Sequence, residues 1–326
     1  MEPEGPLAAP RISVVVAVHD LEEYIAQTIE SVLAQTMAAF ELIVVVDSSS
    51  DGTAASAKGY LGDRRVRIIE AAAGGAGAAR NIGLDAAGAP LILFLDGDDL
   101  LAPDALDAFV AGFEAAPEAV AVVAGHDKID EQGRPIPGEE AASRPGFPST
   151  ADPLRTLLER NLITNGGTIC LRTEAARTIG GYDPRLKVRE DWDFWCRLAC
   201  RGGFVSLGQR STLLYRQRRI RTTTYTPALA PPPPAIAKVY ALPDVKRQFA
   251  QQELEAMRRR TVIDHFWASA RLALYRGERL RFAHYLLVGI ARYPDSLMQG
   301  FLLRFLARQV ASRLRPGPSD RRQVTG

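Results

Sequence analysis

Three carboxylates stand together directly after an apolar run in this chain. Residues 91–95 are typical of a strand buried on both faces, and Asp96, Asp98 and Asp99 follow it at once. Carboxylates this close repel one another, so their clustering at a strand end favours a nearby counter-charge. A divalent cation is the usual one, because hard cations bind oxygen ligands. The alternative is a solvated turn in which Asp99 or Asp104 caps the next helix.

The elements that must position these carboxylates alternate along the first part of the chain. Apolar runs predict four strands, at residues 12–18, 42–46, 66–69 and 91–95. Helical stretches separate them, and this order predicts an α/β fold with a mainly parallel sheet covered by helices on both faces. Right-handed crossovers bring the loops after such strands to one edge of the sheet. Asp20, Asp47 and the carboxylates at 96–99 are therefore expected to meet there.

Bulk composition narrows the classes of function. A net charge of +2 over 326 residues gives no whole-chain field that attracts nucleic acid, so no nucleic-acid partner is expected. The three cysteines are an odd number in no zinc-binding pattern, which favours a reducing compartment. The start of the chain lacks the basic residues of a signal peptide. No apolar run reaches the roughly 18 residues of a membrane span. A cytoplasmic location is therefore predicted.

Four sequence blocks carry more specific information. They are Ile-Ser-Val-Val-Val-Ala-Val-His-Asp at 12–20, Glu-Leu-Ile-Val-Val-Val-Asp-Ser-Ser-Ser-Asp-Gly-Thr at 41–53, the stretch from Ala-Arg-Asn-Ile-Gly to Asp-Gly-Asp-Asp at 79–99, and Gly-Gly-Tyr-Asp followed by Glu-Asp-Trp-Asp-Phe-Trp at 180–195. In this order and spacing the chain resembles family 2 glycosyltransferases of the GT-A fold. The resemblance implies a Rossmann-like, mixed and mainly parallel sheet. It also implies transfer of a sugar from a nucleotide-sugar donor to an acceptor hydroxyl, with inversion at the anomeric carbon.

The resemblance also implies roles for individual carboxylates. Asp191 matches the catalytic base, which takes the proton of the attacking hydroxyl, although Asp is also a common helix N-cap. A helix N-terminus would keep its carboxylate ionised near neutral pH. Glu190 and Trp192 are expected to contact the acceptor, with core packing as the alternative for the tryptophan. Asp98 is expected to bind Mn²⁺ or Mg²⁺, and Asp96 to hold the donor ribose or support the metal.

Nucleotide contacts are implied for the loops that follow the strands. Asp47 matches a position that binds the base or ribose, and Arg80 matches an arginine that contacts the base or the phosphates. Their alternatives are a turn residue and a solvated helix charge. His19 and Asp20 stand where the family usually has an aromatic residue and an asparagine, although a lone histidine is often structural.

The chain departs from the family pattern at Tyr-Arg-Gln-Arg, residues 215–218, where Tyr-Arg-x-His is frequent. That histidine commonly joins the metal ligands, and Arg218 cannot, because a guanidinium stays protonated. Arg218 is instead expected to contact the donor diphosphate directly. Either the metal has one protein ligand fewer, or nearby cations share its task; these are Arg216, Arg218, Arg219 and Arg221.

Two domains are predicted. Residues 1–230 form the catalytic domain, with a nucleotide-sugar half at about 11–125 and an acceptor half at about 153–225. A proline run then separates a helical C-terminal region, 231–326. Within it, residues 297–315 have a basic amphipathic pattern. This pattern is typical of a helix that lies on an anionic membrane surface, or of one that packs on the catalytic domain.

The predicted function is an inverting, metal-assisted glycosyltransferase that uses a UDP-sugar in cell-surface polysaccharide or lipopolysaccharide synthesis. A glycan or lipid-linked glycan is the expected acceptor, and a peripheral position at the inner face of the membrane is an open possibility. Two alternatives remain at this point. One is a non-catalytic nucleotide-sugar-binding scaffold. The other is a nucleotidyltransferase, which usually has a Gly-rich, Lys-containing loop near its start; residues 17–20 contain neither residue.

Overall fold

The computed structural model describes residues 9–141, 146–148, 152–218 and 228–294. These residues fall in two compact units. The first comprises the described residues within Met1–Thr222 and Pro233–Arg258, and the second those within Thr223–Pro232 and Arg259–Gly326. The first unit contains the sheet and every predicted site residue.

The first half of the sheet is parallel and buried on both faces. Its strands are β1 (Ile12–Val18), β2 (Phe40–Asp47), β3 (Val66–Ala71) and β4 (Leu91–Asp96). The helices between them are α1 (Ile25–Leu33), α2 (Thr53–Lys58) and α3 (Ala76–Ala86). Side chains on both faces of β1 are fully buried, as its continuous apolar run predicts. The four predicted strands are therefore confirmed.

The second half of the sheet mixes strand directions. Its elements are β5 (Leu100–Leu101), α4 (Ala105–Ala115), β6 (Ala121–Ile129), α5 (Pro153–Glu159), β7 (Ile169–Arg172), α6 (Thr173–Thr178), α7 (Glu190–Ala199) and β8 (Phe204–Arg216). Among the described residues, eight strands form one sheet in the order β3-β2-β1-β4-β7-β6-β8-β5. Strand β7 is antiparallel to β4 and β6, and β5 is antiparallel to β8. The predicted α/β architecture with a mixed, mainly parallel sheet is confirmed.

Strand register brings the loop residues to one edge. Ala17 in β1 pairs with Val45 in β2 on one side and with Asp96 in β4 on the other. Helix α3 lies so close to β1 that a Cβ atom on Gly83 would come within 2.2 Å of Val15 Cγ1. Glycine at this position therefore allows the close approach of the helix that carries Arg80.

The sequence from residue 127 to residue 152 is rich in Gly, Pro and charge, and its described part contains strand structure. Strand β6 continues to Ile129, and Ile129 forms an isolated antiparallel bridge with Pro135. The pairing of β6 with β8 shifts register around Gly125. The sequence after Gly125 is polar and does not predict this extension of the strand. The shift in register interrupts the alternation of apolar and polar residues by which a strand is recognised.

The described part of the C-terminal region is helical, as predicted. Its described helices are α8 (Pro234–Ala241), α9 (Pro243–Gln248), α10 (Gln251–Tyr275) and α11 (Arg279–Arg292). None of the helices in the described ranges is both long and apolar enough to cross a membrane. The segment 297–315 lies outside the described residues.

The chain passes from the second compact unit back to the first within the proline run, between Pro232 and Pro233. Residues 233–258 belong to the first unit, whereas the sequence places a boundary at 230/231. Three polar contacts made by α8 explain the difference. Lys238 Nζ lies 2.9 Å from carboxylate oxygens of both Asp183 and Asp193, and the hydroxyl of Tyr240 donates to the carbonyl of Leu158. Helix α8 thus belongs to the same compact unit as the sheet.

Candidate active site

A single buried arginine joins the strand-end carboxylates to the start of α7. Arg80 on α3 is 6% exposed. Its Nη2 lies 2.8 Å from Asp96 Oδ1, and its Nη1 lies 3.3 Å from Asp191 Oδ1 and 4.0 Å from Glu190 Oε1. Three carboxylates from two distant sequence blocks therefore surround one guanidinium. We call this group the Arg80 cluster.

Aromatic packing fixes the position of α7 beneath this cluster. The ring of Tyr182 stacks on Phe194 with a centroid distance of 4.2 Å, and the Arg80 guanidinium carbon lies 5.2 Å from the centre of the same tyrosine ring. The residue before the helix, Arg189, adopts a left-handed conformation with φ of 61°. The chain turns sharply there, and Asp191 follows in the first helical turn.

The charges of the Arg80 cluster are strongly coupled. Burial raises the pKa of Asp191 to about 6, and the Arg80 guanidinium opposes the rise while Glu190 and Asp96 add to it. Burial would lower the pKa of Arg80, but the two aspartates outweigh it and raise that pKa well above its usual range. Arg80 is thus a permanent cation. The Asp191 carboxylate is mostly ionised at neutral pH and basic enough to accept a proton.

A buried asparagine links the strand-end carboxylates. Asn165 Nδ2 donates to Asp99 Oδ2 at 2.5 Å and to Asp96 Oδ2 at 3.3 Å. The backbone N–H of Arg216 donates to the other oxygen of Asp99, at 2.8 Å. Burial, followed by the charges of Asp98 and Asp96, raises the pKa of Asp99 well above its usual range. Asp99 therefore braces β4 against β8, and it does not cap α4, whose N-cap is Asp104.

Asp98 has a different partner. Its Oδ2 lies 3.1 Å from Arg218 Nε, and the two side chains are 19% and 12% exposed. Arg216 fixes the backbone here, because its Nε donates to the carbonyl of Asp98 at 2.7 Å. The guanidinium carbons of Arg216 and Arg218 lie 5.2 Å and 5.3 Å from the ring centre of Tyr24. We call these residues the Arg218 cluster.

The residues present do not match the metal site that the sequence predicts. Asp96 and Asp99 accept hydrogen bonds on both carboxylate oxygens, and Asp98 is paired with a guanidinium. No group of three His, Cys, Asp or Glu side chains within the described ranges is arranged to hold a metal ion. A cation at Asp98 would share this carboxylate with the guanidinium of Arg218, which cannot itself be a ligand.

The loops after β1 and β2 bond to each other. Backbone N–H groups of Ala73, Gly74 and Gly75 all donate to the carboxylate of Asp47. Burial opposes the effect, but these three bonds lower the pKa of Asp47 below its usual range. His19 Nδ1 lies 2.6 Å from the carbonyl oxygen of Asp47. The carboxylate of Asp47 therefore orders the loop after β3, and its predicted contact with a base or ribose stays a prediction.

Asp20 also bonds within these loops. Its Oδ1 accepts from the backbone N–H of Ser50 at 2.7 Å, and its own backbone N–H donates to Ser49 Oγ. Asp20 and His19 keep 41% and 59% of their side chains exposed, so both remain accessible to a ligand. Their predicted nucleotide contacts are untested.

The position of Trp192 contradicts one sequence prediction. It was expected to contact the acceptor, but it is 2% exposed and its Nε1 donates to the carbonyl of Leu157 at 2.9 Å. Its indole therefore belongs to the core, which was the alternative assignment. Glu190 is partly exposed beside Arg80 and keeps a position from which it can reach a ligand.

Sequence reasoning missed Asn165 entirely. It lies in an Asn-Gly-Gly run, a pattern that indicates a turn rather than a site. The adjacent glycine carries the only available signal, because a Cβ on Gly166 would come within 2.3 Å of the Phe94 carbonyl oxygen. The backbone approaches β4 closely there, and the asparagine amide consequently reaches the carboxylates.

Comparison with known proteins identifies the family. The family model described as glycosyl transferase family 2 matches residues 13–179, half of the chain. The chain belongs to glycosyl transferase family 2. This assignment confirms the resemblance inferred from the four sequence blocks, and with it the transfer of glycosyl groups as the family's activity.

Individual relatives agree with the family assignment. EpsE of Bacillus subtilis, whose name describes it as a glycosyltransferase, is 32% identical over 195 residues, covering 58% of this chain and 67% of that protein. The succinoglycan biosynthesis protein ExoO of Rhizobium meliloti is 27% identical, covering 97% of this chain and 89% of its own length. Among solved structures, S. aureus TarS 1–349 in complex with UDP-GlcNAc has a TM-score of 0.59 at 17% identity, covering 89% of this chain and 92% of that one. That likeness shows the fold.

Proposed function

We propose that this family 2 glycosyltransferase transfers a sugar with inversion, from a nucleotide-sugar donor to an acceptor hydroxyl, and that Asp191 is its general base. The Arg80 cluster carries this proposal. One guanidinium holds Asp96, at the sheet edge where α/β proteins bind their ligands, and Asp191, at the start of α7. A donor seated near Asp96 would therefore lie beside a carboxylate that can accept a proton.

The proposed reaction is a single displacement. Asp191 takes the proton of the acceptor hydroxyl, and the hydroxyl oxygen forms a bond to the anomeric carbon. The bond between that carbon and the diphosphate oxygen breaks on the opposite face, and the nucleoside diphosphate leaves with the electron pair. A pKa of about 6 keeps Asp191 ionised before the reaction and lets it hold the proton afterwards. Metal dependence is left out of this proposal, because the residues around Asp98 do not match a protein-held cation.

The relatives support a substrate class. TarS is named in complex with UDP-GlcNAc, so a UDP-sugar is the proposed donor here. ExoO is named as a succinoglycan biosynthesis protein, so a glycan or lipid-linked glycan of a cell-surface polysaccharide is the proposed acceptor.

Replacement of Asp191 tests the proposal. Asp191→Asn should lower the rate of transfer by about 10²- to 10⁴-fold and leave donor binding within about threefold of wild type, because it removes the proton acceptor alone. Asp85→Asn, an exposed change on α3, is the matched control and should keep wild-type transfer. Wild-type protein that binds nucleotide sugars but neither transfers nor hydrolyses them would favour the non-catalytic scaffold instead.

We also propose that the C-terminal helical region lies at an anionic membrane surface, which would place the enzyme in the cytoplasm at the inner face of the membrane. Helix α11 exposes Leu280, Leu287 and Ile290 to 90%, 69% and 53%. Helical spacing puts these three on one face, and arginines occur beside them at 279, 281 and 292. An apolar stripe edged by cations suits a surface of anionic lipid. The basic amphipathic sequence at 297–315 supports the same proposal.

Liposome flotation tests the membrane proposal. Wild-type protein should float with vesicles that contain anionic lipid, and Leu280→Ser combined with Leu287→Ser should bind them at least about tenfold more weakly. Leu61→Ser combined with Leu229→Ser, which also replaces exposed leucines, is the matched control. Equal flotation of wild type and the α11 variant would remove α11 from the proposal, and no flotation of either would end it.

A further inference from the structure

The Arg218 cluster holds a cation where a metal was expected. Arg218 Nε faces Asp98 Oδ2 at 3.1 Å, and the side chains of both residues are mostly buried. Asp98 is the carboxylate that the sequence assigns to Mn²⁺ or Mg²⁺. A guanidinium thus occupies the position beside it.

Neighbouring groups fix this guanidinium in place. Arg216 spans the loop beneath it: Nε donates to the carbonyl of Asp98, Nη1 to the carbonyl of Glu131, and Nη2 to Gln27 Oε1, at 2.7 to 2.8 Å. Both guanidiniums lie beside the Tyr24 ring, and a cation is attracted to such a ring. The two arginines, Tyr24 and Asp98 therefore form one braced group at the ends of β4 and β8.

We propose that Arg218 replaces the divalent metal of this site and binds the donor diphosphate directly, with Asp98 orienting the guanidinium. This inference rests on the proposed function, because it assumes a nucleotide-sugar donor. Asp98 then acts as a positioning residue and not as a metal ligand. Arg216 keeps the loop that carries Asp98 in place.

The chemistry of a guanidinium and of a divalent metal ion explains how one replaces the other at this position. The diphosphate gains negative charge as its bond to the sugar breaks, and any fixed cation beside it lowers the energy of the transition state. A guanidinium is always protonated and carries five N–H donors in a planar fork that matches phosphate oxygens. The Nε atom of Arg218 lies 3.1 Å from Asp98 Oδ2 as an ion pair, without hydrogen-bond geometry. Nucleoside diphosphate binding should consequently depend little on divalent metal.

Calorimetric titration of the 326-residue chain with UDP and GDP tests this inference. For wild type, the binding constant should change by less than about threefold between buffer with chelator and buffer with saturating Mn²⁺. Arg218→Ala should weaken binding by about tenfold or more in both buffers, because the cation is lost. Arg218→His should bind weakly with chelator and gain about tenfold or more from Mn²⁺, because imidazole is a metal ligand that can join Asp98.

Two further variants make the result specific. Arg210 lies on β8, the strand that Arg218 follows, and it pairs with Asp104 on the surface, so Arg210→His is a matched change of arginine beside an aspartate. It should bind UDP and GDP as wild type does, with no response to Mn²⁺. Asp98→Asn should weaken diphosphate binding by the same factor in chelator and in Mn²⁺, because the guanidinium loses the carboxylate that orients it while no metal ligand is lost. Thermal unfolding of each variant shows that it is folded.

Three results would overturn the inference: a gain of tenfold or more for wild type in Mn²⁺, no response of Arg218→His to Mn²⁺, or no binding of either diphosphate in both buffers. Failure of the proposed function is separate from these. It would be seen as tight, metal-independent diphosphate binding together with an absence of sugar transfer, a result that leaves the role of Arg218 intact.

Discussion

The Arg80 cluster and the Arg218 cluster have opposite charge balances. In the first, one guanidinium faces three carboxylates, from Asp96, Asp191 and Glu190. In the second, two guanidiniums gather around Asp98, while neighbouring Asp99 has a strongly raised pKa. Both clusters lie at the ends of sheet strands. Asn165 links them, because its amide donates to Asp96 in the first cluster and to Asp99 beside the second.

The difference divides the chemistry of sugar transfer between the two groups. Burial, with added repulsion from Glu190 and Asp96, raises the pKa of Asp191 and makes it a better proton acceptor. An excess of guanidiniums suits a leaving group that gains negative charge. Substitutions that remove this difference in charge balance should therefore lower stability or activity more than substitutions that leave both clusters intact.

Removal of the central cation should break the Arg80 cluster most severely. Arg80→Met leaves two mostly buried carboxylates without their counter-charge, which should lower the free energy of unfolding by about 3 kcal/mol. Urea denaturation measures this loss. Arg11→Met, which breaks the exposed pair with Glu114, should cost less than about 1 kcal/mol. A loss for Arg80→Met no larger than that of the control would contradict the central role of this cation.

Loss of the link between the clusters should cost somewhat less. Asn165→Ala removes the donors to Asp96 and Asp99 and the acceptor for the Gly167 N–H, so it should lower the free energy of unfolding by about 2 kcal/mol. Asn161→Ala, at an exposed position on the same loop, is the control for urea denaturation. Equal stability of the two variants would mean that the clusters do not depend on this amide.

The pH dependence of transfer tests the role of Asp191 in the Arg80 cluster as a base with a raised pKa. A base must be unprotonated, so kcat/KM should fall about tenfold per pH unit below about pH 6 and stay level above it. Loss of the cation in Arg80→Met should move this inflection to higher pH. An inflection near pH 4, typical of an unperturbed aspartate, would show that burial does not govern Asp191.

Stability should respond to pH in the opposite direction. The folded state binds the Asp191 proton more tightly than the unfolded state does, because the pKa is raised on folding. The resulting stabilisation is present at low pH and is lost as the pH rises through about 6. Comparison of wild type with Asp191→Asn by urea denaturation on both sides of pH 6 isolates this contribution.

The smallest effect is expected for the replacement of Trp192, which leaves both clusters intact. Trp192→Phe removes the hydrogen bond to Leu157 from the core and should lower the free energy of unfolding by about 1 kcal/mol. The KM for acceptor should stay within about twofold of wild type. A large rise in that KM at unchanged stability would restore the original assignment of Trp192 to the acceptor.

Sequence predicted the sheet well because its strands are continuous apolar runs. Residues 12–18 and 91–95 cannot face water on either side, so their burial and their parallel pairing follow from composition. The loops after such strands share an edge by geometry. The meeting of Arg80, Asp96 and Asp191 could therefore be anticipated once the family blocks were recognised.

Long-range pairing was not accessible in the same way. Periodicity shows which face of a helix is apolar, but it does not show whether Trp192 or its neighbour reaches the core. The pairing of Arg218 with Asp98 joins residues that follow two different strands, β8 and β4. The position of Asn165 depends on a close backbone approach that two glycines permit but do not specify.

Lys238 sets a lower limit on the length of a working catalytic fragment. Its ammonium group reaches Asp193, which is fully buried two residues after Asp191 and is also paired with Arg197. Deletion of the chain after the proline run would leave that buried charge short of a partner and loosen the helix that presents the base. A minimal enzyme should therefore retain α8 and α9, and fragments cut at the prolines should fail for structural reasons alone.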